Sequence, residues 1–206
     1  VVVSLRGKHM DYMNKIANML ERQSGIITSS QANAVGIPRH YLSKMVAMNL
    51  LRKVARGIYA VPEAWEDEMF LLQYKYSKGI FSHETALYIH GFTDRAPTRF
   101  VMTFPYGYHA ESIASTNIRM KKVVKGIYEL GSVEKQTTFG NKIRLYDLER
   151  TLCDIVKGNN SCDIQIVNQA MKRYALSKEK NISRLLQYAE QLRVKPKIIA
   201  YMEVLL

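Results

Sequence analysis

The stretch GIPRHYLSKMVAMNLLRKVARGIYAV, residues 36–61, decides the fold, because a helical pattern changes within it to the pattern of a β-hairpin. Pro38 suits the first turn of a helix, since its φ is already helical and its missing N–H would have no partner there. Leu42, Met45 and Val46 then recur at the spacing of one helix face. The pattern predicts a short amphipathic helix that begins near Pro38.

The second half of this stretch predicts a hairpin. Residues 52–55 and 57–61 are two short runs with strand-favouring residues, and they meet at Arg56 and Gly57. Glycine takes the positive φ that tight hairpin turns require. We therefore expect the chain to reverse its direction there.

Two further helices are predicted upstream. Apolar residues at helical spacing predict the first over residues 11–24, and Gly25 is expected to end it. Ser29 or Ser30 is the expected N-cap of the second, which ends at Gly36. Three helices followed by a hairpin within about fifty residues is the plan of a winged helix-turn-helix.

The chain of 206 residues is long enough for two small domains, each with its own core. Beyond residue 62, helical and strand patterns alternate irregularly, and three amphipathic helices close the chain. The run RGKHM, residues 6–10, resembles the remnant of an expression tag, so Met10 is the expected natural start. The sequence predicts an α+β fold: a winged helix-turn-helix domain at 10–62, a linking helix over 63–80, and a mixed α/β C-terminal domain at 81–206 that ends in helices.

The charge indicates an anionic partner. The formal net charge is +12 at pH 7, and no acidic residue lies between Glu21 and Glu63, the span that holds most of the predicted winged helix. No basic helix has the strong Trp, Phe or Leu face that a membrane surface would need. Nucleic acid is therefore the favoured partner.

The cysteines and the apolar pattern of the sequence indicate the cellular compartment. Cys153 and Cys162 lie nine positions apart, which fits neither a redox pair nor a zinc site. No apolar run is long enough to span a membrane, and the first ten residues do not have the pattern of a signal peptide. We expect a protein of the reducing cytoplasm.

The predicted interface follows from the way a helix-turn-helix binds DNA. Its second helix lies in the major groove, so side chains turned away from the core meet base edges, and arginine is well suited to guanine. Hydroxyl groups at the start of the preceding helix can hold a phosphate, and basic residues of the hairpin can follow the backbone. The predicted DNA-binding residues are Ser29, Ser30, Arg39, His40, Tyr41, Ser43, Lys44, Lys53 and Arg56.

A second basic set lies in the C-terminal half, mostly on predicted strands. Alternate residues of a strand share a face, so the set predicts a cationic sheet surface. A solvated sheet face that resists edge-to-edge aggregation is the equal alternative. The residues of the set are Arg119, Lys121, Lys122, Lys142, Arg144, Lys172 and Arg173.

The sequence contains no motif that indicates an active site. His83 and His90 are seven positions apart, so a packed pair that hydrogen-bonds to nearby groups is expected rather than a metal site. Asp147 is expected to cap a helix, and Arg150 with Asp154 to form an ordinary surface ion pair. We predict no catalytic residue, no metal and no cofactor. A metal-dependent nuclease, the less favoured alternative, would bind a divalent ion near His83 or Asp147.

Three motifs together resemble the AbiEi antitoxins of bacterial abortive-infection toxin–antitoxin systems. They are ITSSQANAVGIPRHYLSKMVAMNLLRKVARGIYAV at 27–61, FSHETALYIHGFTDRAP at 81–97 and LYDLERTLCDIV at 145–156. The first alone is generic, whereas the second and third are more specific. The resemblance covers the chain from Met10 to Leu206.

The resemblance implies two activities. The winged helix would repress its own operon by binding inverted repeats in double-stranded promoter DNA. Because the sequence has no heptad or obvious dimer helix, we expect two monomers to meet on the site. The C-terminal domain would counter a nucleotidyltransferase-like toxin without a stable complex, and its basic residues would help to hold DNA. The alternative from the residues themselves is a protein-interaction module that binds an acidic partner directly.

Overall fold

The computed structural model describes residues 2–109, 113, 116–158 and 162–205, with side chains from residue 11 onward. The chain divides into two compact units. The first unit comprises Val1–Leu71 and Gln136–Lys142, and the second comprises Leu72–Lys135 and Ile143–Leu206. The segment 136–142, which lies along the sequence within the predicted C-terminal domain, therefore belongs to the first unit.

The first unit has the order of a winged helix-turn-helix. Its elements are α1 (Val2–Arg22), β1 (Ile26–Thr28), α2 (Ser29–Ala34), α3 (Arg39–Ala47), β2 (Arg52–Ala55) and β3 (Ile58–Ala60). The three strands form an antiparallel sheet in the order β1-β3-β2. The predicted helices and hairpin are present, whereas β1 was not predicted, since three residues are too short for a periodic signal.

Apolar residues spaced along the three helices form the core of this unit. Ile16 of α1, Ala32 of α2 and Leu42 of α3 are fully buried in one cluster with Ile27 of β1. Val35 follows the last residue of α2, Ala34, and is 44% exposed. Packing against this cluster stabilises α2 and α3, because isolated helices of 6 and 9 residues are marginal.

The start of α2 differs from the prediction. Thr28, not Ser29 or Ser30, is the N-cap. The Thr28 hydroxyl accepts a hydrogen bond from Gln31 N at 3.1 Å, and Gln31 Oε1 accepts one from Thr28 N at 2.8 Å. This reciprocal capping box leaves the two serine side chains out of the cap.

The predicted linking helix over 63–80 is shorter in the structure. α4 spans Glu68–Lys75, and Asp67 accepts a hydrogen bond from Phe70 N at 3.0 Å at its start. Trp65, which lies in the predicted helix, precedes α4 in the structure and is 79% exposed. Asp67 is 2% exposed, so this acid belongs to the interior rather than to a solvated helix end.

The second unit combines a five-stranded sheet with helices. Its elements are β4 (Ile80–Phe81), α5 (His83–His90), β5 (Phe100–Pro105), β6 (Ile118–Val123), α6 (Lys125–Tyr128), β7 (Ser132–Gln136), β8 (Lys142–Tyr146), α7 (Leu148–Val156), α8 (Ile164–Leu176), α9 (Ile182–Gln191) and α10 (Lys195–Leu205). The strand order is β6-β5-β4-β8-β7. β5 is antiparallel to β4 and parallel to β6, and β4 is parallel to β8, so the sheet is mixed. The predicted α+β class is confirmed.

The closing helices form the larger core. Residues of α7, α8, α9 and α10 meet in one apolar cluster, as their helical patterns predicted. Ile164 is an exception, since it is 61% exposed at the first turn of α8. None of the helices in the described ranges is long and apolar enough to cross a membrane.

The largest error of the sequence analysis concerns the burial of Arg150. The predicted surface pair with Asp154 is buried, with side-chain exposures of 0% and 5%. The Arg150 Nε atom lies 3.1 Å from both Asp154 carboxylate oxygens, and Nη1 donates to the carbonyl oxygens of Ile127 at 2.7 Å and Leu130 at 2.9 Å. The guanidinium also lies 4.2 Å from the centre of the Tyr146 ring. This arginine therefore joins α7 to the segment around α6.

Candidate nucleic-acid interface

α3 is fixed in the first unit by the side chains on one of its faces. Leu42 is fully buried and Met45 is 7% exposed. The chain enters α3 through Ile37, which is 1% exposed and whose N–H donates to Ala32 O at 2.9 Å. Gly36 turns the chain there with a φ of +77°, a conformation that glycine adopts without strain.

The opposite face of α3 carries the predicted base-reading residues. Successive residues turn by about 100° around a helix, so His40 lies opposite the buried pair and Ser43 and Lys44 flank it. All three side chains are exposed, and Arg39 is exposed at the first position of the helix. The structure therefore brings these four side chains to one solvent-facing side of α3.

Tyr41 is placed differently from its neighbours. Its ring is half-buried, meets the Tyr12 ring edge-on with centroids 4.8 Å apart, and lies 4.9 Å from the His40 ring. Packing of this kind orients aromatic side chains. Tyr41 thus supports His40 as well as lying at the margin of the exposed face.

The hairpin carries two exposed cations. Lys53 on β2 and Arg56 at the turn are both exposed, as predicted. Arg52 turns elsewhere: its guanidinium donates to Ala64 O at 3.0 Å and lies 3.3 Å from Glu66 Oε1. Only part of the basic charge of the hairpin is therefore available to an external anion.

A hydrogen bond ties the hairpin turn to the start of α2. Ser29 N donates to Gly57 O at 2.8 Å, so Arg56 and the first turn of α2 belong to one local structure. The Ser29 hydroxyl oxygen is buried and has no hydrogen-bond partner among the described residues, whereas Ser30 is exposed. Ser30 is therefore the better placed of the two serines to contact a phosphate.

Three cations of this surface carry uncompensated charge. Within the described part of the chain, Arg39, Lys53 and Arg56 form no ion pair. Along the sequence, the flanking acids Glu21 and Glu63 lie outside the helix-turn-helix and hairpin. Exposed and unpaired cations are the groups that contact DNA phosphates and base edges at the least cost in desolvation.

The second basic set is more dispersed. β6 and β8 are not neighbours, since β5 and β4 lie between them, and Lys142 belongs to the first unit. Lys122 and Lys172 are exposed, while Lys121 is half-buried. The three arginines of the set each form an ion pair: Arg119 with Glu84, Arg144 with Glu129 and Arg173 with Asp94.

The two histidines and Asp147 have structural partners. His90 Nε2 lies 2.8 Å from Tyr146 O, and His83 Nδ1 lies 3.0 Å from Ser82 Oγ. Asp147 caps α7 by accepting a hydrogen bond from Arg150 N at 2.8 Å, as predicted. No group of three His, Cys, Asp or Glu side chains that could hold a metal occurs within the described ranges.

Neither thiol is suited to nucleophilic chemistry. Burial is the main cause that raises the pKa of Cys153 to about 12, and burial followed by the charge of Glu84 does the same for Cys162. Because the thiolate is the reactive form of cysteine, both thiols are inert near neutral pH.

Comparison with known proteins relates the N-terminal part of the chain to one family. Residues 14–62 match the family model described as transcriptional regulator, AbiEi antitoxin. The chain is similar in structure to the RV2827C protein from Mycobacterium tuberculosis, with 10% sequence identity, 91% of this chain and 79% of that chain covered, and a TM-score of 0.46. No curated protein matches the chain in sequence. The family match coincides with the helix-turn-helix and hairpin, and over residues 14–62 it confirms the predicted resemblance to the AbiEi antitoxins, which the model describes as transcriptional regulators.

Proposed function

We propose that this protein is a sequence-specific repressor of its own operon and an antitoxin. The observation that supports repression best is the set of exposed cations on the outer face of α3 and on the hairpin, two segments that contain no acidic residue. In this proposal α3 enters the major groove, where Arg39 and Lys44 donate to base edges and Ser43 and His40 contact neighbouring positions. The hairpin cations Lys53 and Arg56 would follow the flanking backbone.

The DNA half of the proposal is tested by titrating the protein with the DNA upstream of its own gene. Replacing Arg39 and Lys44 together by alanine is expected to weaken binding at least about tenfold, because each good base contact contributes about 1–3 kcal/mol of discrimination. Affinity of the unmodified protein should also fall steeply with salt, since phosphate contacts release counterions.

A matched control removes the same charge elsewhere. Lys178 and Lys180 are exposed in the second unit, and their double alanine variant should bind the promoter as the unmodified protein does. If both double variants lose affinity equally, only the net charge matters and the assignment of α3 is wrong. If the Arg39 and Lys44 variant binds as tightly as the unmodified protein, the interface lies elsewhere.

The antitoxin half rests on the resemblance. According to this part of the proposal, the second unit counters a nucleotidyltransferase-like toxin in the cytoplasm without forming a stable complex. On the DNA, two monomers of this protein meet on an inverted repeat. Co-expression with the neighbouring toxin gene is expected to restore growth, and the Arg39 and Lys44 double variant should still do so when expressed from a foreign promoter. Growth arrest that persists with the unmodified protein would contradict this half alone.

The main alternative has its own readout. If the basic surface binds an acidic protein directly, untagged toxin should co-purify with this chain through a salt wash. Retention of the toxin together with the absence of promoter binding would favour this alternative.

A further inference from the structure

The single tryptophan of the chain, Trp65, is displayed to solvent. It is 79% exposed, although tryptophan side chains are highly buried on average. Exposed aromatic residues are enriched where proteins bind other proteins, because their rings supply a large contact area. The exposure of Trp65 therefore calls for an explanation outside the core of the first unit.

The backbone around Trp65 is held in place on both sides. On one side, the Ala64 carbonyl oxygen accepts a hydrogen bond from the Arg52 guanidinium at 3.0 Å. On the other side, Asp67 is 2% exposed and accepts a hydrogen bond from Asn141 Nδ2 at 2.9 Å. The exposure of Trp65 is therefore a property of a fixed segment of the first unit.

Three exposed carboxylates flank Trp65, namely Glu63, Glu66 and Glu68. Consecutive Cα atoms are about 3.8 Å apart, so the Cα atoms of all three lie within about 11 Å of that of Trp65. Glu66 lies 3.3 Å from Arg52, whereas Glu63 and Glu68 form no ion pair among the described residues. These four residues, Trp65 and the three glutamates, are called the tryptophan–glutamate surface below.

The tryptophan–glutamate surface is negative in a strongly positive protein. The formal net charge of the chain is +12, yet no basic residue lies between Arg56 and Lys75. The surface is also separate from the hairpin turn, because Arg52, which contacts it, pairs with Ala60 at the opposite end of β2 and β3. Carboxylates repel phosphate groups, so charge and position both direct this surface away from DNA.

The side chains of this surface match a guanidinium group. The face of a tryptophan ring attracts cations more strongly than that of the other aromatic residues, and the cation is more often arginine than lysine. A carboxylate can accept two parallel hydrogen bonds from a guanidinium, a geometry that an ammonium group does not offer. Arg52, which donates to Ala64 O and to Glu66 Oε1, is an example within the chain. The surface therefore favours arginine over lysine.

We propose that the tryptophan–glutamate surface docks an arginine-bearing segment of another protein. One arginine of that segment stacks on Trp65, and Glu63 and Glu68 accept hydrogen bonds from this arginine or from its neighbours. The contact is small, so the complex is expected to be weak and transient. Docking goes beyond the proposed repression and does not depend on it, because the predicted DNA-binding residues are not involved.

Trp65 itself reports binding, because the tryptophan fluorescence of the full chain arises from this residue alone. Two synthetic peptides of equal length and charge are titrated at constant ionic strength, one with arginine and the other with lysine as its only cation. Saturable change of the Trp65 emission is expected with the arginine peptide. Its dissociation constant should be at least about threefold lower than that of the lysine peptide, the effect of one exposed cation–π contact.

Exposed acids supply a matched pair of double variants. Glu63→Gln with Glu68→Gln is expected to raise the dissociation constant for the arginine peptide at least about tenfold, because charge-assisted hydrogen bonds are lost. Glu179→Gln with Glu203→Gln removes the same charge from two exposed positions of the second unit and should bind the peptide as the unmodified protein does.

Exposed aromatic residues supply a second matched pair, measured by the anisotropy of a fluorescently labelled arginine peptide. Trp65→Ala should weaken binding at least about threefold. Tyr106→Ala, in the second unit, removes a ring that is 80% exposed and should leave binding unchanged. All these positions are exposed, so the variants are expected to fold, which circular dichroism checks.

Several results would overturn the proposal. Trp65 emission that changes with neither peptide would do so, as would equal affinities for the two peptides or equal losses in the two double glutamine variants. A change with single-stranded DNA alone would assign Trp65 to base stacking, and a change with protein concentration alone would assign the surface to a second copy of this chain. The variant with Glu63→Gln and Glu68→Gln should still bind the promoter, so this proposal and the proposed function can fail separately.

Discussion

Arg150→Met is expected to lower the free energy of unfolding of the second unit by about 3–5 kcal/mol, the cost of removing one partner from a buried ion pair. The reason is the environment of Asp154, whose carboxylate is buried and loses its only cationic hydrogen-bond partner among the described residues. The carbonyl groups of Ile127 and Leu130 also lose their donor. Urea denaturation followed by circular dichroism measures the change.

Two further variants decide the interpretation. Arg95→Met removes an arginine that is 61% exposed and 2.9 Å from Asp163, itself 41% exposed, so the loss should be below about 1 kcal/mol. Arg150→Met combined with Asp154→Leu should recover much of the loss, because apolar replacement of a whole buried pair is often neutral. Equal losses in Arg150→Met and Arg95→Met would contradict the role assigned to the buried pair.

Asp67→Ala is expected to destabilise the first unit by about 3 kcal/mol, since its buried carboxylate accepts several hydrogen bonds. The donors are Phe70 N at 3.0 Å, Thr137 Oγ1 at 2.5 Å and Asn141 Nδ2 at 2.9 Å. Their loss should also release the segment 136–142 from the unit. Hydrogen exchange of the amides of this segment, together with thermal unfolding, tests both effects.

The neighbouring acid is the natural control. Glu66 is exposed and forms only a surface ion pair with Arg52, so Glu66→Ala should change stability by less than about 1 kcal/mol. Unchanged exchange at 136–142 in Asp67→Ala would show that this carboxylate does not hold the segment.

The features predicted correctly from the sequence are those that depend on local patterns. The apolar spacing of Leu42 and Met45 placed α3, and the turn at Gly57 placed the hairpin. Both signals lie within a dozen residues, where the helix or strand period is visible. The exposed face of α3 followed directly from the buried one.

The errors concern contacts between residues far apart in the chain. Arg150 looked like a surface residue because its spacing to Asp154 suits an exposed helix, whereas its burial depends on the carbonyls of Ile127 and Leu130. Asp67 stands between Glu66 and Glu68 in the sequence, and nothing near it indicates that its side-chain partners follow 70 and 74 residues later. A charged residue can be buried only where distant groups satisfy it, and no local pattern records those groups.

In the candidate site, too, local features were predicted correctly and contacts between distant residues were not. The exposed cations of α3 and the hairpin were identified from periodicity, whereas the capping role of Thr28 depends on which of three consecutive hydroxyl residues meets Gln31. The partner of Ser29 N, the carbonyl of Gly57, is likewise distant in sequence. Positions were therefore easier to predict than hydrogen bonds.

The membership of 136–142 in the first unit has a consequence for biosynthesis. Asp67 finds Thr137 and Asn141 at separations of 70 and 74 residues along the chain. At an elongation rate of about 5–20 residues per second, the ribosome makes these partners several seconds after Asp67. The first unit therefore stays incomplete, and the carboxylate of Asp67 stays hydrated, until residues 137–141 have been translated.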